Sequence, residues 1–368
     1  MARPFLVVFE DWNHEIKMEF QDRRLPVYLL IDCSESMVGE AIEGANAGMR
    51  QLLLDLHSDP HALETVWISV ITFAQTATQV MPLSEMIGTR APKLKIQPGT
   101  GLGAALRLLE ECIAREVRTH SATQKGDWKP LVFLLTDGDP TDEWREAAKI
   151  LQAPTKSGGK KLNLIAIGCG EDANPLVLNE IADSVLMMGD SDLDFRSLFQ
   201  WISSSLSVTS QQINTSGQAA VSLAKIPAET FRAPSIPVGA ALELSKTRQP
   251  SQLFLSVRCC GTRKPYLVRY GFESSHGVYV ARRVHVVDEE YFAGPRPNED
   301  AQLGISSEKI YGVLPCPHCG NQAAGACPNC GQLFCAPEDN SEVQCPQCER
   351  VLGGGGGPSE FSISGRVG

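Results

Sequence analysis

The stretch Leu25-Pro-Val-Tyr-Leu-Leu-Ile-Asp-Cys-Ser-Glu-Ser-Met37 decides the fold. Its unbroken apolar run, Val27 to Ile31, shows no alternation, the pattern of a strand buried on both faces in a parallel sheet. The chain then turns polar, with Asp32, Ser34 and Ser36 at alternate positions. Alternate side chains of an extended segment point the same way. One carboxylate and two hydroxyls therefore converge just beyond the strand's carboxyl end, where open α/β sheets bind their ligands. Hard oxygen donors of this kind suit Mg²⁺ or Mn²⁺ and not zinc. A turn in which Ser and Asp only cap the next helix would carry the same residue types. The rest of the chain decides between these readings.

Working outward, Ile42, Ala45, Met49, Leu52, Leu53 and Leu56 recur at helical spacing. Val66 to Phe73 is β-rich, and Thr76 to Met81 is expected to pair with it as a hairpin. Gln97-Pro-Gly-Thr-Gly-Leu-Gly103 leads into a helix with Leu102, Leu106, Leu109 and Ile113 on one face. Leu131 to Leu135 is a second buried strand, ending in Thr136-Asp-Gly-Asp-Pro-Thr-Asp142, with Thr141 or Asp142 expected in the first turn of the following helix. Leu162 to Ile167 is a third, Val185 to Met188 an expected edge strand, and Phe195, Leu198, Phe199 and Ile202 mark a last helix. Strands alternating with helices predict an α/β fold, a doubly wound and mostly parallel sheet, over residues 25–208. Residues 1–24 form an N-terminal extension without clear period. Residues 209–250, rich in Ser, Gln, Thr, Ala and Pro, read as a linker. Short strand-like runs and a Cys-rich segment make 251–352 a small β-rich domain, and 353–368 a flexible tail.

A chain of 368 residues has room for two domains and a substantial core. A net charge of -10 argues against a general nucleic-acid binder, because neutralising phosphates needs a basic surface. No apolar run approaches the ~18 residues of a membrane span. The N-terminal apolar run is too short for a signal peptide and is followed by acids, so a cytoplasmic protein is expected.

Of the 12 cysteines, those from Cys316 to Cys348 crowd one end of the chain. Cys316-Pro-His-Cys319, Cys327-Pro-Asn-Cys330, Cys335 and Cys345-Pro-Gln-Cys348 have the spacing of zinc knuckles, which direct backbone N–H groups at thiolates. So short a segment buries too little apolar surface to fold alone, and structural zinc contributes on the order of 10 kcal/mol. A second zinc needs an eighth ligand; Cys260, Cys259 and His318 are the candidates, with Cys260 favoured. Spacing alone leaves open which pairs share a metal. All-thiolate sets without an open position are structural and not catalytic. Cys33, Cys112 and Cys169 lie in apolar segments and read as small core residues.

Thr100, in a Gly-flanked turn, and Asp137, directly after the Leu131 strand, add a hydroxyl and a carboxylate to Asp32, Ser34 and Ser36. Together they fill most of an octahedral shell. The Gly99–Gly103 loop lacks the G-K-[ST] of a phosphate-binding loop, and no nucleophile has an adjacent base. The sequence therefore predicts no enzyme. The D-x-S-x-S string, the distal Thr and the T-D-G loop resemble the metal-ion-dependent adhesion site of von Willebrand factor A domains, with all five positions present at Asp32, Ser34, Ser36, Thr100 and Asp137. The resemblance implies a Mg²⁺ that keeps one position open for a partner's carboxylate. Glu35 departs from the Gly frequent in that family and is expected to bring negative charge to the rim or to fill the open position.

The A domain with a Cys-rich C-terminal unit, together with Leu135-Thr-Asp-Gly-Asp-Pro-Thr-Asp-Glu-Trp144, Gly101-Leu-Gly-Ala-Ala-Leu106 and Phe199-Gln-Trp-Ile-Ser203, resembles the TerY family of bacterial tellurite-resistance proteins. That resemblance implies a stress-response interaction module associated with a Ser/Thr protein kinase and a PP2C-type phosphatase, with phosphorylation of Ser34, Ser36 or Thr100 as one form of control. The alternatives are an accessory subunit of an ATP-dependent, chelatase-like complex, or a transcription and repair subunit, the latter disfavoured by the complete metal site.

Overall fold

The computed structural model describes residues 23–121, 125–155, 158–170, 173–188, 195–216, 222–228, 230–232, 252–289, 303–337, 341–353 and 362–365. The N-terminal extension, apart from Arg23 and Arg24, and most of the stretch read as linker lie outside the described residues.

β1 (Leu25–Asp32) is buried along its whole length. Its side chains divide between two cores, as a strand with both faces covered requires. Leu25, Val27, Leu29 and Ile31 pack with α1 (Glu40–Ser58) and α6 (Phe195–Ser216). Tyr28 and Leu30 face α3 (Leu102–Glu116), α4 (Arg145–Gln152) and α5 (Pro175–Ile181). α2 (Pro60–Thr65) starts at Asp59, whose carboxylate accepts from the amides of His61 and Ala62.

The remaining strands are β2 (Val66–Phe73), β3 (Ala77–Glu85), β4 (Leu131–Thr136), β5 (Asn163–Cys169), β6 (Ser184–Met188) and β7 (Phe231–Arg232). They lie in the order β3-β2-β1-β4-β5-β6-β7. β2, β1, β4, β5 and β6 are parallel; β3 forms the expected hairpin with β2, and β7 runs antiparallel to β6. The order reverses at β1, between β2 and β4. A crevice opens at the carboxyl ends of strands at such a switch point, and Asp32 and Asp137 stand at it.

Three expectations need correcting. α6 continues to Ser216, into the stretch read as linker. Residues after it still belong to the sheet domain: the Trp201 indole donates to the Ala224 carbonyl at 3.1 Å, and Phe231 pairs with Met188 through β7. β6 is therefore not the edge. Lastly, the tail contains β17 (Ser362–Gly365), paired antiparallel with β11 (Leu303–Ser306). Both short strands hold too few residues for a period of apolar residues to reveal them.

The second domain is built on β8 (Gln252–Arg258), β9 (Pro265–Glu273) and β10 (Val278–Val286), an antiparallel meander. β12 (Ile310–Tyr311) flanks β10, and β14 (Leu333–Ala336) runs parallel to β8, with β13 (Ala323–Ala326) outside it. β15 (Val343–Gln344) and β16 (Val351–Leu352) form a separate hairpin. The two domains touch where Arg283 on β10 meets Glu40 at 3.4 Å, an exposed ion pair of small energetic weight.

α1 and α6 approach closely at Gly48, where a Cβ would lie 2.3 Å from Cδ2 of Phe199. At Gly44, one turn earlier, the nearest atom would be Phe195 Cβ at 3.5 Å, ordinary contact. Gly48→Ala is expected to destabilise the domain by about 1–3 kcal/mol through overpacking. Gly44→Ala is expected to be neutral or stabilising by up to about 1 kcal/mol through helix propensity. Urea denaturation of the two variants checks both signs.

Candidate metal centres

β1 and β4 are hydrogen-bonded neighbours, with Ile31 opposite Leu135, so Asp32 and Asp137 follow side by side. Asp32 is held rigidly: Oδ1 accepts from the Ser34 amide at 2.9 Å and Oδ2 from the Thr136 hydroxyl at 2.7 Å. The Ser34 and Ser36 hydroxyls lie 2.9 Å apart. Ser36 donates to Asp137 Oδ1 at 2.7 Å, and Ser34 lies 3.5 Å from that oxygen. These four predicted residues thus meet at one point. Ser36 is half-buried; Asp32, Ser34 and Asp137 are buried.

Thr100 reaches this edge on a separate loop. The Gln75 amide donates to the Pro98 carbonyl at 2.7 Å, and the Gly101 amide donates to the Ala74 carbonyl. Thr141 clasps Thr100 through its backbone: the Thr141 amide and hydroxyl donate to the Thr100 carbonyl at 2.8 and 3.0 Å, and the Thr100 amide donates back to the hydroxyl at 3.2 Å. The side-chain hydroxyl of Thr100 is fully buried and has no hydrogen-bond partner among the described residues. An orphaned buried hydroxyl costs about 1–3 kcal/mol. The oxygens gathered from Asp32, Ser34, Ser36 and Asp137 are hard donors and fit a divalent cation of the magnesium kind.

Asp142 corrects another expectation. It does not start α4, which begins at Arg145 after Trp144. Its two carboxylate oxygens accept from the amides of Gly103 and Ala104, each at 2.8 Å, capping the first turn of α3. Glu35 corrects one more. It is fully buried, and Oε2 accepts from the Gly99 amide at 2.8 Å, tying the β1 loop to the Thr100 loop. It is no rim charge; the short reach from the turn Glu35–Met37 to the Gly99 amide turns the side chain inward. Burial also closes Ser34 and Thr100 to a kinase, leaving Ser36 as the most exposed of the three hydroxyls.

Burial raises the Asp32 carboxyl to about 6, with the Glu35 charge adding to it against hydrogen bonds from Thr136 and Ser34. Cys33, Cys112 and Cys169 are buried core thiols, each pushed up by burial.

In the second domain eight sulfurs form two sets, Cys259, Cys316, Cys319, Cys335 and Cys327, Cys330, Cys345, Cys348. Within each set the sulfurs lie within 4.8 Å of one another. Four thiolates so grouped fit tetrahedral zinc. The eighth sulfur of these sets is that of Cys259 and not that of the favoured Cys260; His318 instead places Nε2 3.1 Å from the Pro265 carbonyl.

The physical reason is a repeated turn. Cys316, Cys327 and Cys345 each donate their amide to a carbonyl five residues on, at 2.9 Å, and accept at their carbonyl from the amide four residues on, at 2.8–3.0 Å. The fourth residue is Gly320, Gly331 or Glu349, all at positive φ. Cys259 makes the same turn: its amide donates to the Lys264 carbonyl at 3.0 Å, its carbonyl accepts from Arg263 at 2.9 Å, and Arg263 has φ 60°. Thr262 occupies the place of the second cysteine, and Cys335 on β14 supplies the missing thiolate. Sequence reading missed this because the turn has lost half of its C-x-x-C signature. Arg263 and Glu349, the non-glycine residues in this strained conformation, pair with each other at 2.8 Å.

Burial pushes the Cys259 thiol up, but hydrogen bonds from Thr262 and Gly261 outweigh it and bring it to about 6. Cys348 also falls to about 6, through the Arg350 amide and the Asn329 side chain. Each set thus contains one thiol poised to ionise for a metal.

The fold and these two kinds of site define a metal-binding protein built from an adhesion-type α/β domain and a thiolate-stapled β domain. The von Willebrand factor type A domain model matches residues 27–197, and the TerY-C metal binding domain model matches residues 251–366. The chain therefore carries a von Willebrand factor type A domain followed by a TerY-C metal binding domain. Among solved structures, the ArnB paralog VWA2 from Sulfolobus acidocaldarius is similar at 20% identity and TM-score 0.36, over 50% of this chain and 45% of that one. BatB from Bacteroides thetaiotaomicron matches at 19% identity and TM-score 0.34, over 49% and 97%. Proximal thread matrix protein 1 from the mussel byssus, in a structure with a zinc-occupied MIDAS motif, matches at 19% and TM-score 0.35, over 51% and 46%. The match to VWA2 spans less than half of that chain's length. No curated protein matches the chain.

Cys259→Ser is expected to remove the metal of the first set, halving the zinc content of the purified protein, while the second set keeps its own. Elemental analysis per chain, with circular dichroism of the β domain, checks it; unchanged zinc content would exclude Cys259 as a ligand.

Proposed function

We propose that this protein is a non-enzymatic interaction module whose sheet domain holds Mg²⁺, or Mn²⁺, at Asp32, Ser34, Ser36, Thr100 and Asp137 and captures a carboxylate of a partner protein there. One observation carries the reading: hydroxyls and carboxylates meet at a sheet switch point, and the Thr100 hydroxyl, on the loop tied beside them, is buried without a partner. Three of the five side chains are neutral hydroxyls, and a cation of this kind keeps water in its remaining positions, which a partner's carboxylate displaces. The zinc of the second domain is structural. The TerY resemblance supplies the partners to try first, a Ser/Thr protein kinase and a PP2C-type phosphatase, in a cytoplasmic stress response that includes tellurite resistance. Of the hydroxyls considered for phosphorylation, Ser36 is the one its exposure favours.

Thr100→Val tests the site directly. The change removes an unpartnered hydroxyl at nearly constant shape, so the metal-free domain is expected to be as stable as the parent or more so. Mg²⁺ affinity is expected to fall by about tenfold or more, the equivalent of one lost contact of ~1.4 kcal/mol. Titration calorimetry with Mg²⁺ and thermal melts in EDTA separate the two effects; equal Mg²⁺ affinity in the two proteins would sink the assignment. Partner capture by immobilised protein with Mg²⁺, against EDTA and against Asp32→Ala, tests the function itself.

The acid side gives a further expectation. With its folded value raised to about 6, Asp32 keeps its proton in the metal-free folded protein between the ordinary Asp range and pH 6. Its contribution to metal-free stability is therefore favourable at the low end of that window and lost as pH rises through it. Above pH 6 the ionised, desolvated carboxylate gains most from a cation. The rise in melting temperature on adding Mg²⁺ is expected to be full at pH 7.5 and to fade below pH 6, where protons compete for Asp32.

A further inference from the structure

The second domain carries nine cysteines for eight ligand positions, and the ninth is Cys260. It is half-buried, whereas Cys33, Cys112 and Cys169, the other thiols outside the metal sets, are buried in the sheet domain beyond a small oxidant's easy reach. Cys260 packs against both groups of buried side chains that contain the metal sets. Its sulfur lies 3.7 Å from that of Cys335, and its amide donates to the Cys335 sulfur at 3.3 Å. β14 runs parallel to β8 with Phe334 opposite Arg258, so Cys335 follows beside the Cys259 turn, and Cys260 is the next residue of that turn. From 3.7 Å, side-chain rotation has to bring the two sulfurs to the roughly 2 Å of a disulfide bond. Cys335 is also the one ligand of its set that is not part of a knuckle turn, so joining it elsewhere leaves the Cys259 and Cys316 turns undisturbed.

We propose that Cys260 and Cys335 are a redox pair: a peroxide joins them as a disulfide, which removes one ligand from the first thiolate set and leaves the second set intact. Cys260 reacts first, because its sulfur is not engaged by a metal. Its thiol takes one oxygen from hydrogen peroxide, giving the sulfenic acid and one water. The Cys335 sulfur then attacks the Cys260 sulfur; the S–S bond forms, the S–O bond breaks, and hydroxide leaves to become water. Overall, the Cys260 thiol and the Cys335 thiolate lose two electrons, and with one proton from solvent one peroxide becomes two waters. The first set is left with three thiolates and yields its metal to a chelator. A dithiol reductant reverses the step.

The inference rests on both sets holding zinc, so the zinc content of the reduced full-length protein is measured first; two per chain are expected, and none would sink the zinc reading independently of the thiol chemistry. Stoichiometric hydrogen peroxide is then added with a chromogenic chelator present, and non-reduced peptides are mapped by mass spectrometry. Release of one zinc, a Cys260–Cys335 linkage and recovery with dithiothreitol are expected. Cys260→Ser and Cys260→Ala should retain both zincs and release the first at least about tenfold more slowly. Release at the parent rate in these variants, or a disulfide confined to members of one set, would overturn the pair. Loss of a zinc in the reduced Cys260 variants would equally overturn it, by making Cys260 a ligand.

Discussion

Two carboxylates, those of Asp32 and Asp137, stand buried at the ends of adjacent parallel strands, and this juxtaposition sets the character of the molecule. Like charges brought together away from water are costly unless protonated, hydrogen-bonded or matched by a cation. Thr136 and the Ser34 amide offset part of that cost at Asp32, and Ser36 part of it at Asp137. The unsatisfied remainder, with the orphaned Thr100 hydroxyl, is what the proposed cation would offset. The strand order and the two cores bring Asp32, Ser34, Ser36 and Asp137 to one place, with the Thr100 loop tied beside them. Glu35, Thr141 and Asp142 lock those loops together through backbone amides, so the positions do not depend on the cation being present.

The second domain solves a different problem. Its six-stranded sheet has a modest core, and the segments after it are knuckle turns with little apolar surface. Thiolate sets at the junctions of those turns replace the missing burial, which is how small domains commonly reach stability. One turn built on Cys259 has lost its second cysteine, and Cys335 reaches across from β14 to complete the set. The spare thiol beside that set then has a place in the architecture without being one of its ligands.

Much of this was legible in the sequence. The β1 run and the D-x-S-x-S alternation are local patterns, and local patterns translate directly into strand faces. The Thr100 and Asp137 loops could be placed because each follows or precedes a strongly periodic element. What was not legible depends on partners distant in the chain. Cys259 lacked a C-x-x-C companion. Asp142 caps a helix that begins about 40 residues earlier in the chain. Glu35 reads as a surface charge until the Gly99 amide is brought to it by folding. β7 and β17 are two and four residues long, too short for a period of apolar residues to announce them.

Cation binding at the β1–β4 switch point is the claim on which the rest turns. Crystals soaked in Mn²⁺ test it most directly, because manganese scatters anomalously and shares the oxygen preference of magnesium. The account predicts one anomalous peak about 2 Å from oxygens of Ser34, Ser36 or Asp137, with Asp32 and Thr100 completing the shell directly or through water. Crystals with no peak there, or with manganese bound only elsewhere, would contradict it.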